Sequence, residues 1–512
     1  MTSIFSYAIL FLEKKQERRD GNMKFLGRTE QRKKLHGILG KNGQTVTLIY
    51  GRRRVGKSEL IKQVLRESDL PGIYYECKQT TEWNNVDSLA VLIAAEFHFP
   101  KPAFGSMEET LDFLFQKACQ EKMVFVLDEY SYLRDCVVGM DSILQALIDK
   151  YRDRSAFKLI LCGSFVDVME SLLYHENPLY GRVDLTINLK PMDYFESALF
   201  YPGYTEEDKV RLYSVFGGIP YFNRLIDPAL TVRENITELI ASPGARLENE
   251  VSMYLKSEIS RIINANEVFD ALARGFSKYS DILSQSHVSS GPAMVDVLDK
   301  LIRMEMVEKQ APINDEHNRK KMSYRIIDNL SLFYYRYIFR YLSQMNVMEP
   351  EVFYDRYIKE DFETTYVPHA FETVCRQYLI RLNRSGLLEE PFEKIGKYYY
   401  DDPVRKRNGE FDIVTKDAKG YIFYEAKFRK EPVSAEMIRT EISQVEETGF
   451  CCYRYGFLSG SGFTAKQEEN LILITLEEMY DGTQAGEPAM IVADSRTGEC
   501  GKGEVGEQEG SN

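Results

Sequence analysis

The chain has 512 residues and a mass of 59.3 kDa, which at about 100–200 residues per domain indicates about three domains. It carries 65 Lys and Arg against 78 Asp and Glu, hence a net charge of −13, with 28% charged and 44% hydrophobic residues. This composition is typical of a soluble globular protein and excludes a disordered chain or a uniformly basic nucleic-acid coat. Any polyanion must therefore bind at a local site.

Cysteine usage and the N-terminal segment exclude two further classes of protein. The eight cysteines contain no C-x-x-C pair, which predicts buried thiols instead of a zinc site or a disulfide framework. The apolar stretch 4–12 is far shorter than the ~20 residues that span a bilayer, and its basic residues follow it. We therefore expect a cytoplasmic protein with no membrane partner, and residues 1–22 as an N-terminal extension or a misassigned start.

The first motif is a glycine-rich loop between a strand and a helix. Residues 45–50 form a short β-branched run that predicts a buried parallel strand, and apolar residues at helical spacing follow the loop. In such a loop backbone N–H groups cradle phosphates, the lysine reaches the β and γ oxygens, and the serine hydroxyl binds Mg²⁺. A coincidental surface loop is the alternative. The loop is a complete G-x-x-x-x-G-K-S motif: Gly51, Arg52, Arg53, Arg54, Val55, Gly56, Lys57 and Ser58.

Two further strands supply the remaining candidates for the ATP site. The apolar run 123–127 ends in Asp128, a candidate Mg²⁺ ligand, and Glu129, a candidate general base for the attacking water. The run 158–162 leads to Ser164, which could reach the γ-phosphate or that water. The alternatives are a plain solvated strand end for the two acids and a turn-favouring serine for Ser164.

Several segments resemble the archaeal ATPase family, which comprises AAA-like P-loop proteins of archaea and bacteria. They are Phe25-Leu26-Gly27-Arg28-Thr29-Glu30, the loop 50–58, Asn177-Pro178-Leu179-Tyr180-Gly181-Arg182 and Gly217-Gly218-Ile219-Pro220-Tyr221. The resemblance spans residues 23–345.

That resemblance implies a P-loop ATPase domain with a parallel sheet over residues 23–200 and a helical lid over 201–260. It places Gly27 and Arg28 near the nucleotide base, Ser164 at the sensor position, and Arg182 as an arginine finger or sensor. A structural cation beside Asp184 is the alternative for Arg182. The expected ligands are ATP and Mg²⁺, with a homo-oligomer as a further possibility.

Residues 261–345 have the pattern of a winged helix. Three amphipathic helical segments precede two short strands with a polar loop at 314–321 between them. Residues 271–345 contain 11 Lys and Arg and 8 Asp and Glu, a charge of +3, which favours DNA. Asp296 and Asp299 on the third helix argue against it, so a structural or protein-binding role is the alternative, and Arg319, Lys320 and Lys321 are the better phosphate contacts.

A separate α/β domain is predicted over residues 355–480. Two alternating strands, 409–414 and 421–428, flank a turn and predict a hairpin. Asp412, Glu425 and Lys427 would meet on one face, as in a Mg²⁺-dependent phosphodiesterase, with Glu372 completing the metal ligands. Lys427 would orient water or stabilise the phosphate charge.

The spacing of Asp412, Glu425 and Lys427 resembles the restriction-endonuclease-like PD-(D/E)XK nucleases, although Phe411 stands where that motif has proline. By analogy with that family Gln444 would also face the site. The alternatives are an ordinary hairpin with a surface Glu/Lys pair, or a nuclease fold retained for binding alone.

Together these features predict an α/β protein with an ATPase domain, a helical lid, a winged helix and a nuclease-like domain. The leading hypothesis is an ATPase coupled to DNA binding or cleavage. The alternative is an ATP-controlled switch that binds a protein partner through a C-terminal domain without catalysis. The Gly- and Glu-rich tail 495–512 is expected to be disordered.

Overall fold

The computed structural model describes residues 25–258, 264–402, 407–450, 452–466, 468 and 470–482. The predicted N-terminal extension and the predicted disordered tail both lie outside these residues. Two five-stranded sheets and one two-stranded sheet organise the described chain.

The first sheet is entirely parallel, with the order β2-β3-β4-β1-β5. Its strands are β1 (Thr45–Tyr50), β2 (Gly72–Glu76), β3 (Met123–Asp128), β4 (Phe157–Gly163) and β5 (Leu185–Asn188). The three strands predicted from apolar runs are β1, β3 and β4, and β4 lies between the other two. The carboxyl ends of β1, β4 and β3 therefore meet at one edge of the sheet, where ligands bind in open α/β folds.

Helices cover both faces of this sheet, which explains why its central strands read as continuous apolar runs. Ile49, Val124 and Val126 point into one core, and Leu48, Phe125 and Leu127 into the other. The helices of this region are α1 (Thr29–Gly40), α2 (Lys57–Glu67), α3 (Glu82–Phe97), α4 (Met107–Ala118), α5 (Ser131–Cys136), α6 (Met140–Tyr151) and α7 (Val166–Glu170).

A helical segment follows the first sheet, in the range predicted for the lid. Tyr366 and Gln377 from a later helix bond to it, through Ser214 O at 2.9 Å and Tyr213 Oη at 2.9 Å. The helices are α8 (Tyr194–Ala198), α9 (Glu206–Phe216), α10 (Pro220–Asn223), α11 (Val232–Leu239) and α12 (Glu250–Glu258).

Three helices and an antiparallel strand pair come next, in the order and near the bounds that the sequence predicts. They are α13 (Ala265–Ala273), α14 (Tyr279–Ser286), α15 (Gly291–Arg303), β6 (Val307–Gln310) and β7 (Ser323–Ile326). The loop between β6 and β7 packs on the C-terminal sheet, because Asn314 Nδ2 donates to Tyr399 O at 2.8 Å and Asn314 Oδ1 accepts from Tyr399 N at 3.1 Å. That this unit is a DNA-binding winged helix stays a prediction.

Helices then lead to the C-terminal sheet, and they share one continuous core with the helical segment and the first sheet. They are α16 (Asn329–Phe333), α17 (Leu342–Met345), α18 (Pro350–Tyr357), α19 (Lys359–Asp361) and α20 (Val367–Ser385). The aromatic run 333–337 is buried in this core, as expected for an inter-domain packing element.

The second large sheet is mixed, with the order β12-β11-β10-β9-β8. The strands β10, β11 and β12 are parallel, whereas β9 is antiparallel to both β10 and β8. The predicted hairpin is the β9–β10 pair. The elements are β8 (Lys394–Asp402), β9 (Arg407–Lys416), β10 (Tyr421–Lys427), α21 (Ala435–Glu447), β11 (Arg454–Ser459), β12 (Leu471–Thr475) and α22 (Leu476–Tyr480).

No helix among the residues that the structure describes has the length and apolar character needed to cross a membrane.

Candidate functional site

The glycine-rich loop joins β1 to α2 through a backbone that needs glycine at both ends. At Gly51 an added Cβ would lie 2.3 Å from the carbonyl oxygen of Leu189, so no side chain fits. Gly56 has φ +95°, a conformation that side-chain-bearing residues rarely adopt, and it directly precedes α2. A loop with glycine at both ends thus leads directly into a helix N-terminus, the arrangement that anion sites commonly use.

Lys57 lies inside this loop. Its side chain is buried, and Nζ donates to Gly51 O at 2.8 Å and to Arg52 O at 3.1 Å. These two bonds hold the ammonium against the concave side of the loop, within reach of a phosphate bound there.

The Mg²⁺ ligands predicted from the sequence are brought together. Ser58 Oγ donates to Asp128 Oδ2 at 2.6 Å, and Asp128 is buried at the end of β3. Tyr74 on β2 also donates its hydroxyl to Asp128 Oδ2. Because Mg²⁺ prefers hard oxygen ligands, the hydroxyl and the carboxylate fit this ion.

Glu129 adopts φ +53°, a left-handed conformation that is uncommon for a residue other than glycine. Its carboxylate turns toward β4, where Ser164 donates from Oγ at 2.9 Å and from its backbone N–H at 3.3 Å to Glu129 Oε2. Ser164 thus holds the acid next to Asp128, in the wall of the same cavity as Ser58.

A cavity of about 490 Å³ opens beside the loop, a volume typical of small-ligand sites. Phe25, Leu26 and Arg28 line it together with the loop and Glu129, whereas Gly27 is not part of its wall. That Gly27 and Arg28 lie near the nucleotide base stays a prediction. Arg28 is held by its own contacts, donating from its backbone N–H to Glu196 at 2.7 Å and from Nη2 to Val55 O at 3.1 Å.

The three arginines of the loop have different surroundings. Arg52 points away from the nucleotide cavity and forms a buried ion pair with Asp328 at 2.6 Å. Arg53 lies over the ring of Phe165 at 5.5 Å. Arg54 lies over Tyr221 at 4.4 Å and pairs with Glu250, so it joins the loop to the helical segment.

Arg182 is occupied outside the nucleotide cavity. Its guanidinium makes bonds of 2.6 Å and 3.0 Å to Asp149 on α6, and Nη1 donates to Pro178 O at 3.1 Å. The alternative of a structural pairing with Asp184 is wrong in its partner, because the Arg182 guanidinium pairs with Asp149, whereas Asp184 accepts from Val46 N at 2.7 Å. A role for Arg182 as an arginine finger stays a prediction.

A second group of charged residues lies on the C-terminal hairpin. The register pairs Tyr424 with Ile413, so Glu425 and Asp412 are the next residues on their strands. Lys427 Nζ bonds both Glu425 and Glu441 of α21 at 2.8 Å. Burial raises the pKa of Glu425, although Lys427 opposes this, and Asp412 acts on it in the same direction as burial.

The other predicted members of this group are paired with bases. Lys397 on β8 bonds Asp412 at 2.8 Å, and His369 Nδ1 lies 3.2 Å from Glu372. Across the described part of the chain no three acids, histidines or cysteines are gathered closely enough to hold a metal ion. The metal site of Glu372, Asp412 and Glu425 stays a prediction, and it requires these pairs to rearrange.

Of the candidate nucleic-acid-binding residues in the β6–β7 loop, one is paired with other residues of the protein and two are exposed. Lys321 pairs with Asp315 at 2.8 Å and lies over the ring of Tyr399 at 4.2 Å. Arg319 and Lys320 are exposed. On α15, Lys300 is bonded to Asp296 at 2.7 Å, which leaves the exposed Asp299 unfavourable for contact with a phosphate.

Four residues of these sites were not identified from the sequence. Arg224, just after α10, lines the nucleotide cavity, and Tyr74 bonds Asp128. Glu441 contacts Lys427, whereas the predicted Gln444 on the same helix is exposed. Lys397 bonds Asp412 from a strand that carries no motif, so only the sheet register could have revealed it.

Comparison with known proteins agrees with the resemblance noted in the sequence. A family model described as an ATPase domain predominantly from Archaea matches residues 25–222, and a model of archaeal and bacterial proteins of unknown function matches residues 334–441. An uncharacterized protein of Methanocaldococcus jannaschii is 27% identical over 463 residues, which are 89% of this chain and 99% of that protein.

Two solved structures are similar to part of this chain. A Walker-type ATPase of Pyrococcus abyssi is 22% identical, with a TM-score of 0.47 over 61% of this chain and 96% of that one. The ORC2 protein of Aeropyrum pernix is 13% identical, with a TM-score of 0.40 over 62% of this chain and 94% of that one.

The glycine-rich loop, the acidic strand end and the family match concern the same part of the chain. Residues 25–222 thus match an ATPase domain found predominantly in Archaea, and residues 334–441 match a domain of archaeal and bacterial proteins of unknown function.

Proposed function

We propose that the chain binds and hydrolyses ATP with Mg²⁺ at the site of Lys57, Ser58, Asp128 and Glu129. The observation that carries this proposal is the 2.6 Å bond between Ser58 and Asp128, which joins the loop to the end of β3. Two hard oxygen ligands for Mg²⁺ thus stand at the N-terminus of a helix whose preceding loop can hold phosphates.

The residues of the site would act mainly by positioning and by neutralising charge. Lys57 and the loop N–H groups would hold the β- and γ-phosphates. Ser58 and Asp128 would hold Mg²⁺, which neutralises charge on the phosphate oxygens when bound. Glu129 would orient the attacking water and accept its proton, and Ser164 would fix that carboxylate through the 2.9 Å bond. Arg224, in the cavity wall, would contribute a further positive charge.

We further propose that ATP turnover is coupled to nucleic acid bound by the second half of the chain. The buried pair of Arg52 and Asp328 supports coupling, since it links the phosphate loop directly to the start of α16. The exposed Arg319 and Lys320 support phosphate contact. A protein-binding switch uses the same link but requires no nucleic acid.

The full chain, assayed for steady-state ATP turnover with and without single-stranded and duplex DNA, separates these two functions. Coupling predicts that DNA changes the turnover rate, and that Arg319→Gln with Lys320→Gln weakens the response. If DNA does not change the rate of ATP turnover and the protein does not bind DNA, the result would favour the ATP-controlled switch that binds a protein partner.

The narrower proposal for the C-terminal domain is cleavage of phosphodiester bonds by Asp412, Glu425 and Lys427. Its support is the cross-strand position of the two acids and the half-buried Glu425, which is paired with Lys427. Glu372, Asp412 and Glu425 have the hard oxygens that Mg²⁺ prefers. In the structure, however, Asp412 is paired with Lys397 and Glu425 with Lys427.

Cleavage dependent on Mg²⁺ or Mn²⁺ is expected to fall at least about 100-fold in Glu425→Gln, since a group in the reacting centre contributes about that much. Glu431→Gln is the matched control, because Glu431 is 82% exposed in the loop after β10. Cleavage that survives Glu425→Gln would remove this residue from the mechanism. Wild-type protein that binds DNA without cleaving it would support a binding module.

A further inference from the structure

A second cavity lies where the major parts of the chain meet. Its volume is about 610 Å³, and its wall includes Arg52 of the phosphate loop, Tyr213 of α9, Arg325 of β7, Arg376 of α20 and Asp412 of β9. Small-ligand sites commonly occupy about 300–1,000 Å³ and lie between domains. A nucleotide-sized molecule fits this volume, but a nucleic-acid duplex does not.

Arg376 is the distinctive residue of this wall. Within the described ranges no acceptor lies within hydrogen-bond distance of its guanidinium and no acid lies within ion-pair distance, although its side chain is only partly exposed. The three acids whose charges act on Arg376 are bonded to other bases. These bonds are Glu308 with Arg325, Glu372 with His369, and Asp412 with Lys397.

The surroundings leave the charge of Arg376 incompletely balanced. Burial, with the neighbouring Arg325, lowers the pKa of Arg376 from 12.5 to about 10. The group remains charged at neutral pH, but it is less stabilised than an arginine in water. An anion bound next to Arg376 would raise its pKa again and stabilise its charged form.

Two guanidinium groups face this part of the cavity. Arg325 Nη1 donates to Thr373 Oγ1 at 3.2 Å, and Thr373 lies three residues before Arg376 on α20. Residues three apart on a helix are neighbours on its surface. The guanidinium group of Arg376 has no hydrogen-bond partner within the described residues, and its planar N–H donors match the oxygens of a phosphate.

We propose that Arg376 binds a phosphate group of a nucleotide-sized ligand that enters this cavity. The phosphate belongs either to a free mononucleotide or to the end of a single nucleic-acid strand. The cavity wall shares Glu372 and Asp412 with the proposed cleavage site, but phosphate binding by Arg376 requires neither ATP hydrolysis nor cleavage. It would place a ligand against residues of both the ATPase part and the C-terminal sheet.

Calorimetric titration of the full chain tests this proposal, with the phosphate loop first saturated by a non-hydrolysable ATP analogue. The two probes are thymidine 5′-monophosphate and a short 5′-phosphorylated thymidine oligonucleotide. We expect one of them to bind the wild type, and Arg376→Gln to weaken that binding at least about tenfold, as for a charge-assisted hydrogen bond. The probe that binds identifies the source of the phosphate.

Arg384→Gln is the matched control, because Arg384 is an exposed arginine on the same helix. It should bind the probe as the wild type does, and Arg376→Lys should fall between wild type and Arg376→Gln. Unchanged binding of the ATP analogue by Arg376→Gln shows that the variant is folded. The proposal is overturned if the wild type binds neither probe, or if Arg376→Gln binds as tightly as the wild type.

Discussion

Replacing Glu129 with glutamine is expected to lower the rate of ATP hydrolysis about 10²–10⁴-fold, the usual contribution of a general base. Glutamine keeps the size of the side chain and can still bond Ser164, but it cannot accept a proton from water. ATP affinity should change little, since Glu129 does not belong to the loop that holds the phosphates. Turnover and nucleotide binding, measured on the same preparation, separate the two effects.

Glu59→Gln is the matched control for that substitution. Glu59 also lines the nucleotide cavity, but it lies on α2 and makes no bond to Ser164 in the described structure. Its replacement should leave turnover within a few fold of the wild type. A Glu129→Gln variant that hydrolyses ATP at the rate of Glu59→Gln would exclude Glu129 as the base.

Replacing Asp328 with alanine is expected to lower the free energy of unfolding by about 3–5 kcal/mol, because it leaves the buried charge of Arg52 without its partner. The side chains of Arg52 and Asp328 are both only 6% exposed, and their 2.6 Å bond is shielded from water. Asp328 also accepts from Ser331 N at 3.0 Å, so the cap of α16 is lost as well. Urea unfolding followed by circular dichroism measures the loss.

Two comparisons identify the buried pair as the cause. The double variant Arg52→Met with Asp328→Leu should lose less than Asp328→Ala, since no unpaired charge remains in the core. Glu30→Ala removes the exposed pair with Lys34 at 2.5 Å and should cost at most about 1 kcal/mol. Equal losses from Glu30→Ala and Asp328→Ala would contradict this account of the pair.

The parts of the ATP site that local chemistry defines could be predicted from the sequence. A strand buried on both faces reads as an apolar run, and the loop motif leaves few choices for Lys57 and Ser58. The sequence predicted Ser58 and Asp128 as ligands of one Mg²⁺ ion, and the structure places them within hydrogen-bond distance. The bond between Tyr74 and Asp128 could not be predicted in this way. Tyr74 lies on the edge strand β2, and the sequence does not show that β2 pairs with β3.

Long-range pairing explains the remaining differences. The structural alternative for Arg182 paired it with Asp184, two residues away, but its guanidinium bonds Asp149 on α6. Lys397 reaches Asp412 through the β8–β9 pairing, and no motif marks that lysine. Sequence patterns identify which residues can carry charge or chemistry. Partners more than a few residues apart depend on the packing of whole elements.

The central claim is that ATP is hydrolysed at the loop of Lys57. A single-turnover measurement with the full chain in excess over radiolabelled ATP, in Mg²⁺, tests it most directly. We predict that the wild type converts its bound ATP to ADP and phosphate, and that Lys57→Ala releases none above the uncatalysed background. Equal phosphate release by the two proteins, or ATP that stays intact on the wild type, would contradict the account.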